Sequence, residues 1–477
     1  MKWLSSNAGA SRWLGPRRFV ALLGSALLVF VVACGSDSKS SNTPTQPSTV
    51  VQVNMGDDPA DWMLAFSMKA TSMSLVGAGT TLTYSDTPMQ VEMIHRLGIM
   101  EPVALVAATP GTYTGATMTI ASCNVTYVDP QTKQIMQKTI NGPFNATVTF
   151  PTSVTVDKTP LAFNFDLDLE HSLTTDGSGN FQFSPVFHHS LGVLGNGTGT
   201  GINPRYGGMH QMMGVVSNVT SDSFTIIPVQ AVNTFRFRVS NQTQYQGRVS
   251  NMAQLSVGMG VLVTAALQSD GTMLATRVRA TMSSGGAMGG GIITAVTGQP
   301  ATQLTVVMQN GAGASILTDY LSKTITVNLT DTTTYEIDTD RISLAGLDFT
   351  PAFDASNIYA GQSVLPFSES DLVANTSCSP SCGTITASTV RLREQGFRGT
   401  TDVAINPGTS STFVLTLMPE CAFTSLTGAT QITVYQLTST NVESQTAIAA
   451  GATLRVHGLL FKNGDHWVLI ASTIASS

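Results

Sequence analysis

The segment GMHQMMG, residues 208–214, carries the side chains of this chain that are best suited to binding a soft metal. Met209, His210, Met212 and Met213 offer the thioether and imidazole groups that Cu(I) accepts. Methionine also fills irregular apolar gaps, and this segment lies where a glycine-rich stretch leads into a predicted barrel. We favour packing over copper binding, and we therefore predict no metal and no other cofactor.

Cys378 and Cys382 form a second reactive pair, in the segment CSPSC. In an exported protein, two cysteines at this spacing can form a disulfide that closes a small loop. Free thiols and a zinc site are the alternatives, but structural zinc usually needs a second pair of ligands nearby, and none follows with suitable spacing. We predict the disulfide and leave open whether Cys123 and Cys421 pair with each other.

Catalytic motifs are missing from the sequence. It has seven histidines, but neither H-E-x-x-H nor G-x-S-x-G occurs. The members of a Ser-His-Asp triad can be distant in sequence, so such a triad stays possible. We predict a protein that is not an enzyme, and an uncharacterised hydrolase remains an alternative.

The acidic segment DTTTYEIDTDR, residues 331–341, raises the question of a calcium site. A calcium loop of the EF-hand type needs D-x-[DN]-x-[DN]-G followed by a late glutamate, and this order is absent from the sequence. Acidic residues that alternate along a strand more often mark its solvent face. We therefore predict that these carboxylates face solvent.

The elements that position all these residues are predicted to be strands. The chain has 477 residues, of which 42% are hydrophobic and only 11% are charged, against about 25% charged in an average soluble protein. Threonine, serine, glycine and valine replace the charged residues, and this bias favours sheets over surface helices. A net charge of -6 provides no basic patch, so nucleic acid is not an expected partner.

The N-terminus has the form of an export signal. Basic residues precede an apolar run at positions 19–33, which is shorter than the roughly 20 residues that a membrane span needs. The run ends in VVACGSDS, which resembles the lipobox of bacterial lipoproteins, with Val31, Ala33 and Cys34 at its key positions. The resemblance implies that Cys34 carries lipid and that residues 1–33 are a signal peptide that is removed.

Residues 34–50 are polar and rich in serine and proline, and we predict a disordered tether. Together with several acyl chains on Cys34, this segment would hold the protein at a membrane surface. Gly35, and not aspartate, follows the cysteine, which favours the outer membrane and leaves the face of that membrane open.

Residues 51–191 are predicted to form an Ig-like β-sandwich, because short strands alternate with turn signals. The segments DDPADW, MKATSMSL, TPGTYTGATMTI and FNFDLDL resemble a family of bacterial lipoprotein domains of unknown function. A glycine-rich linker is predicted at residues 192–211. Its closely spaced glycines lack the strand–turn–helix setting of a dinucleotide site.

Three small β-barrel-like modules are predicted next, so that the whole chain is expected to be all-β. The first, residues 212–281, contains GVVSNVTSDSFTI, VSNQTQYQG, LSVGMGVLVTA and DGTMLATRV. These segments resemble a family of small exported β-barrel domains, also of unknown function. A second glycine-rich linker is predicted at 282–290, and further copies at 291–394, with an insertion, and at 395–477.

Turn residues recur at matching places in the three predicted copies. Gly258, Gly361 and Gly451 each precede the strand that leads into the closing hairpin, where a tight turn would exclude a β-carbon. Asp-Gly at 270–271 and Asn-Gly at 463–464 are strong signals of short hairpins. The second copy has the CSPSC segment in that place.

These observations predict a lipid-anchored protein of the cell envelope with a structural, adhesive or ligand-binding role. Its expected partners are the membrane, through the lipid, and a glycan or another envelope protein. Carbohydrate binding through a barrel face is the first alternative, by analogy with other small barrels. Tyr245, Tyr335 and Tyr435 are then the candidate contact residues, since they lie near corresponding places in the copies.

Overall fold

The computed structural model describes residues 49–476 except for the positions 59, 78, 80, 84–88, 97–98, 177–178, 194–206, 314–316 and 379–380. The predicted signal peptide, Cys34, almost all of the predicted tether and most of the first predicted linker lie outside the described residues. Within the described part of the chain, no helix is long and apolar enough to cross a membrane.

The fold is all-β, and its N-terminal part is a sandwich of two sheets. Its strands are β1 (Thr49–Asp58), β2 (Met63–Val76), β3 (Thr81–Thr83), β4 (Met89–Glu92), β5 (Glu101–Ala108), β6 (Gly111–Val128), β7 (Ile135–Val156), β8 (Leu161–Asp168), β9 (Leu173–Thr175), β10 (Phe181–Phe183) and β11 (Phe187–Val193). One sheet has the order β11-β8-β1-β5, and the other has the order β3-β2-β6-β7 with β4 added on β2. Strands β9 and β10 form a hairpin, and a short helix α1 (Leu169–Ser172) precedes β9.

The core of the sandwich lies between these two sheets. Val53 and Phe163 come from one sheet and Phe66 and Ile120 from the other, and all four are 0% exposed in one apolar cluster. Successive side chains of a strand point to opposite faces, so residues at every second position are buried together.

The rest of the chain forms three further sheets. The first contains β12 (Gly208–Val219), β13 (Ser223–Pro228), β14 (Phe235–Arg238), β15 (Gln244–Gly247), β16 (Gly260–Leu267) and β17 (Met273–Met282). The second contains β18 (Ala287–Thr297), β19 (Gln303–Gly313), β20 (Thr324–Asn328), β21 (Thr334–Ile337), β22 (Ser363–Ser368), β23 (Val373–Ala374), β24 (Gly383–Thr386) and β25 (Thr389–Leu392). The third contains β26 (Glu394–Thr401), β27 (Ser411–Leu417), β28 (Gln431–Gln436), β29 (Asn441–Val442), β30 (Thr453–Asn463) and β31 (His466–Ser476), with a helix α2 (Ala422–Thr427) between β27 and β28. We call these sheets barrel 1, barrel 2 and barrel 3.

The three barrels share one strand order. In barrel 1 the order is β14-β13-β12-β16-β17-β15, and a parallel pairing of β14 with β17 closes five strands into a barrel. Barrel 3 repeats this order as β28-β27-β26-β30-β31-β29, closed by β28 on β31. Barrel 2 also repeats it, but its last strand is divided into β24 and β25, and β23 is added at the edge.

Two turns recur at the same places in all three barrels. Gly258, Gly361 and Gly451 have φ angles of 89°, 92° and 80°, in the left-handed region that favours glycine. Before the fourth strand, a buried threonine accepts a bond from a backbone N–H three residues earlier. It donates to a carbonyl oxygen of the last strand or, in barrel 2, to one between β24 and β25. These threonines are Thr243, Thr333 and Thr440, which donate to Ala275, Ala387 and Ala471 at 2.7, 2.8 and 2.8 Å.

The structure corrects two parts of the predicted linkers. Strand β18 begins at Ala287, so the predicted linker 282–290 ends inside a strand. A glycine run can lie in a strand where the partner strand comes close: a β-carbon at Gly291 would stand 1.9 Å from the Val307 carbonyl oxygen. Strand β12 likewise begins at Gly208, within the predicted linker 192–211.

Candidate functional site: a central cavity

A cavity of about 1890 Å³ lies between the sandwich and the three barrels. All four parts of the fold contribute to its wall, for example with His95 from the sandwich, His210 from barrel 1, Asp338 from barrel 2 and His457 from barrel 3. The described residues that surround it belong to one compact unit. The wall therefore exists only when the domains are assembled.

Gln211 is placed at the wall by an irregularity in β12. The pairing of β12 with β16 shifts register between Met209 and Met212, and Gln211 has a φ of 50°, which is unusual for a residue other than glycine. Its amide nitrogen donates to both carboxylate oxygens of Asp338, at 3.1 and 2.9 Å, and to Asp340 at 2.8 Å. This contact joins barrel 1 to barrel 2.

Two ion pairs complete this part of the wall. Arg391, which is 2% exposed, donates to Asp338 at 2.7 Å, and Arg277 of barrel 1 donates to Asp340 at 2.7 Å. Burial acts to raise the pKa of Asp340, but the charges of Arg277 and Arg391 outweigh it and lower that pKa. The prediction that these acids face solvent is wrong for Asp338, which is 4% exposed because it meets a buried arginine across the sheet.

A second cluster centres on Glu394, at the start of barrel 3. Arg341 donates to both of its carboxylate oxygens, at 3.1 and 2.6 Å, and His457 contacts it through Nδ1 at 3.0 Å. Burial acts to raise the pKa of Glu394, but Arg341 and His457 hold it well below its ordinary value. Ser472 donates its hydroxyl to Glu394 and not to the imidazole, so the three side chains lack the Ser-to-His bond of a catalytic triad.

His210 lies on the same wall without a hydrogen bond to any described residue. Burial lowers its pKa to about 4, and the nearby positive charge of Arg341 acts in the same direction. The imidazole is therefore neutral at pH 7, with one N–H donor and one acceptor nitrogen.

The sandwich contributes its own cluster of charged side chains, which are paired with one another. His95 lies between Glu92 and Glu101, with Nδ1 and Nε2 at 2.6 and 3.0 Å from their carboxylates, and Arg96 lies 3.2 Å from Glu101. Burial acts to lower the pKa of His95, but the two glutamates outweigh it and raise that pKa. The neighbouring Arg393 adds to the charges that lower the pKa of Glu101.

The structure separates the residues of the copper alternative. Met209 is 0% exposed in the core of barrel 1, whereas Met213 is packed in a different apolar cluster with Leu262 and Met288. His210 faces the cavity instead. Among the described residues, no group of three or more His, Cys, Asp or Glu side chains is arranged to hold a metal ion.

The three candidate tyrosines are not brought together, and none lines the cavity. Tyr335 packs edge-on against Phe353, with ring centroids 6.0 Å apart, and Tyr245 is half-buried in barrel 1. Tyr435 donates its hydroxyl to Asp348 at 2.6 Å, and this bond raises its pKa to about 12. Its predicted correspondence with the other two is wrong, because Val442 holds the place two residues after Thr440, the threonine of the recurring turn.

The cysteines are placed as follows. Cys378 and Cys382 are joined in a disulfide in the loop between β23 and β24. Cys123 and Cys421 are buried and not bonded to each other. Burial raises the pKa of the Cys421 thiol to about 11, which makes this thiol unreactive at neutral pH.

Sequence reasoning missed Gln211, Arg391 and Glu394 as members of the wall. The string Asp-Thr-Asp-Arg at 338–341 is a local sign of a charged cluster. Its partners, however, lie 53 residues away at Arg391 and 127 residues away at Gln211. No local pattern marks pairs at such separations.

Comparisons with known proteins identify one part of the chain. Residues 213–279 match the family model of a Domain of unknown function (DUF5666). This DUF5666 match covers most of barrel 1. No curated protein matches the chain.

One similar solved structure is a multidomain protein with nucleic acid binding domains from Streptococcus pneumoniae. The two share 11% sequence identity over 54% of this chain and 72% of that chain, with a TM-score of 0.10. At this TM-score the similarity supports no statement about fold or function.

Proposed function

We propose that this protein is a lipid-anchored protein of the cell envelope that binds a ligand in its central cavity without transforming it. The observation that carries the proposal is the cavity of about 1890 Å³ with a wall from all four parts of the fold. Ligand pockets in proteins typically measure about 300–1,000 Å³. This cavity therefore has room for a ligand larger than a single small molecule.

The states of Glu394 and His210 support binding over catalysis by these two residues. The carboxylates of Asp338 and Glu394 each accept bonds from an arginine, and the pKa of Glu394 is held low. A general acid or base works best with a pKa near the working pH. Neither Glu394 nor the neutral His210, whose pKa is about 4, meets this condition.

We also infer that the three barrels are copies of the DUF5666 domain. The family match covers barrel 1, and its strand order, its glycine turn and its threonine turn all recur in barrels 2 and 3. The cavity would then be lined in part by segments that differ between the copies, such as the β12 irregularity and the insertion after β21.

The cavity proposal is tested by a substitution that fills part of the cavity. Ser343 lines the cavity and is exposed, so Ser343→Trp adds bulk there at little cost in folding. Ser221 is exposed in the turn between β12 and β13, away from the cavity, and Ser221→Trp is the matched control. The full chain would be screened by native mass spectrometry against oligosaccharides, peptides and fatty acids.

We expect at least one ligand that binds the unchanged chain and Ser221→Trp but binds Ser343→Trp much more weakly. If no ligand in the three classes shows this difference, the cavity is not a binding site and the proposal is wrong.

The anchor is tested separately. Cys34 follows the lipobox-like residues Val31 and Ala33, and we expect labelled fatty acid to be incorporated into the chain. Cys34→Ala should abolish the label and move the protein from the membrane fraction to the soluble one. Retention of label by Cys34→Ala would contradict lipidation at this residue.

A glycan-binding face made of Tyr245, Tyr335 and Tyr435 is not favoured by the geometry. The tyrosines belong to three different barrels and are half-buried, two of them against aromatic neighbours. Stacking on a sugar needs an open aromatic surface. If carbohydrate is the ligand, the cavity is the better place for it.

A further inference from the structure

Most charged groups of the cavity wall are paired with an opposite charge. Asp338 and Asp340 are paired with Arg391 and Arg277, both at 2.7 Å. Glu394 is paired with Arg341 at 2.6 Å. A ligand with a carboxylate or an ammonium group would have to compete for one of these partners and leave the other buried without its counter-ion, which is unfavourable.

Charged side chains on the sandwich side of the cavity are also paired with opposite charges. Asp61 is paired with Arg398 at 2.7 Å, and Glu101 is held by His95 and Arg96 at 3.0 and 3.2 Å. Arg393 is close enough to Glu101 for its charge to act on that carboxyl. Most of the charge on the wall is thus paired, and Asp57, Arg393 and Glu443 are the other charged side chains among the described residues that line it.

Two imidazole rings remain available to a ligand. His210 makes no hydrogen bond to a described residue, so it has one donor and one acceptor to offer. The carboxylate of Glu394 can only accept, so Nδ1 of His457 carries the proton of their bond. Nε2 of His457 has no hydrogen-bond partner among the described residues, so it is open to a ligand.

Uncharged polar side chains line the same cavity. Amide and hydroxyl groups on the wall include Gln268, Asn310, Ser439, Asn441 and Thr473. Amides and hydroxyls, like a neutral imidazole, present donors and acceptors side by side. The chemical group that matches such a mixture is the hydroxyl, which donates one bond and accepts two.

We infer that the cavity takes a neutral polyhydroxylated ligand, that is, an uncharged oligosaccharide. The inference rests on the proposed ligand-binding function and specifies the class of its ligand. His210 is the residue that we expect to contact the ligand hydroxyls, because its ring lines the cavity and makes no hydrogen bond to a described residue.

The test compares sugars that differ only in charge. The full chain is purified in a detergent without a sugar head group and titrated calorimetrically with tetrasaccharides of glucose, glucuronate and glucosamine. Sets based on galactose and mannose extend the panel. We expect a neutral member to bind at least about tenfold more tightly than its uronate and amine counterparts.

His210→Phe tests the contact. Phenylalanine keeps a flat ring, and no hydrogen bond within the described part of the protein is lost, so folding should be preserved and is checked by thermal unfolding. We expect about tenfold weaker binding of the neutral sugar, because a ligand hydroxyl loses its partner. Ser343→Trp should weaken the same binding by blocking the cavity, and Ser221→Trp should leave it unchanged.

The outcomes separate the inference from the proposal beneath it. Tighter binding of a uronate or an amino sugar, or no binding of any sugar in the panel, overturns the inference. Sugar binding that His210→Phe leaves unchanged also overturns it. If a peptide or a fatty acid instead shows the Ser343→Trp effect, the cavity function stands while the saccharide inference falls; if no ligand shows that effect, both fall.

Discussion

The inside of the barrels and the space between them are built in opposite ways. Barrel 1 is filled by apolar side chains such as Phe224, Phe235 and Phe237, which are at most 1% exposed. The described cavity wall contains ion pairs, amides and the three histidines His95, His210 and His457. The inside uses the strand order that recurs three times, whereas the wall combines recurring turns, at Gly361 and Thr440, with segments found in one barrel each. Recurring elements thus make the fold, and segments unique to one barrel add the charged clusters of the candidate site.

The largest effect should come from the inside of a barrel. Phe237 is 0% exposed, and Phe237→Ala should lower the free energy of unfolding by about 3–5 kcal/mol, because it removes buried apolar contacts and leaves a cavity. Urea denaturation measures this change. The matched wall variant Ser343→Ala should change stability by less than about 0.5 kcal/mol, and a similar loss at both positions would break the comparison.

Replacing the turn glycine with alanine should destabilise the protein by different amounts in different barrels. Gly361 and Gly451 have φ angles of 92° and 80°, so alanine should cost about 1–2 kcal/mol at either position. At Gly361 the added β-carbon would also stand 2.6 Å from the Phe423 ring of barrel 3, whereas nothing lies within 4 Å at Gly451. Gly361→Ala should therefore be the more damaging variant in thermal unfolding, and an equal effect would show that the contact between barrels adapts.

If the barrels are copies, replacing the turn threonine with valine should lower stability by a similar amount in each barrel. Thr243→Val, Thr333→Val and Thr440→Val each remove a buried hydroxyl that makes two backbone hydrogen bonds. Each should lower the free energy of unfolding by about 1–2 kcal/mol, since buried polar groups lose their partners. Thr438→Val, at an exposed position beside Thr440, is the control. A loss in only one barrel would argue against a shared role for this turn.

The smallest expected effect is the contribution of His210 on the cavity wall to the pH dependence of stability. The pKa of His210 is about 4 in the folded protein, against an ordinary value of 6.5. Above pH 6.5 the ring is neutral whether the chain is folded or not; between 6.5 and about 4 only the unfolded chain takes up the proton, so stability falls as pH falls. Because the pKa of His189 in the sandwich is also lowered to about 4, the informative quantity is the difference between variants. Stability measured from pH 7 to pH 4 should fall less steeply in His210→Phe, and identical slopes would contradict this account.

Local pattern and turn chemistry were sufficient to predict an all-β chain. The glycines before the closing hairpins and the Asp-Gly and Asn-Gly turns were recognisable because a turn is specified by a few neighbouring residues. Alternation at period two likewise marks which strand face is buried, whatever it packs against. The matching of Tyr435 with Tyr245 failed because it relied on residue type, and the corresponding place is defined by the turn at Thr440.

The sequence by itself therefore determined the class of fold and the main turns. Only the tertiary structure decided which charges meet. Asp338 and Arg391 are 53 residues apart and Asp338 and Gln211 are 127 apart, yet they form one cluster on one wall. The physical reason is that hydrophobic periodicity and turn preference act over a few residues, whereas an ion pair depends on the distance in space that the packing of whole domains sets.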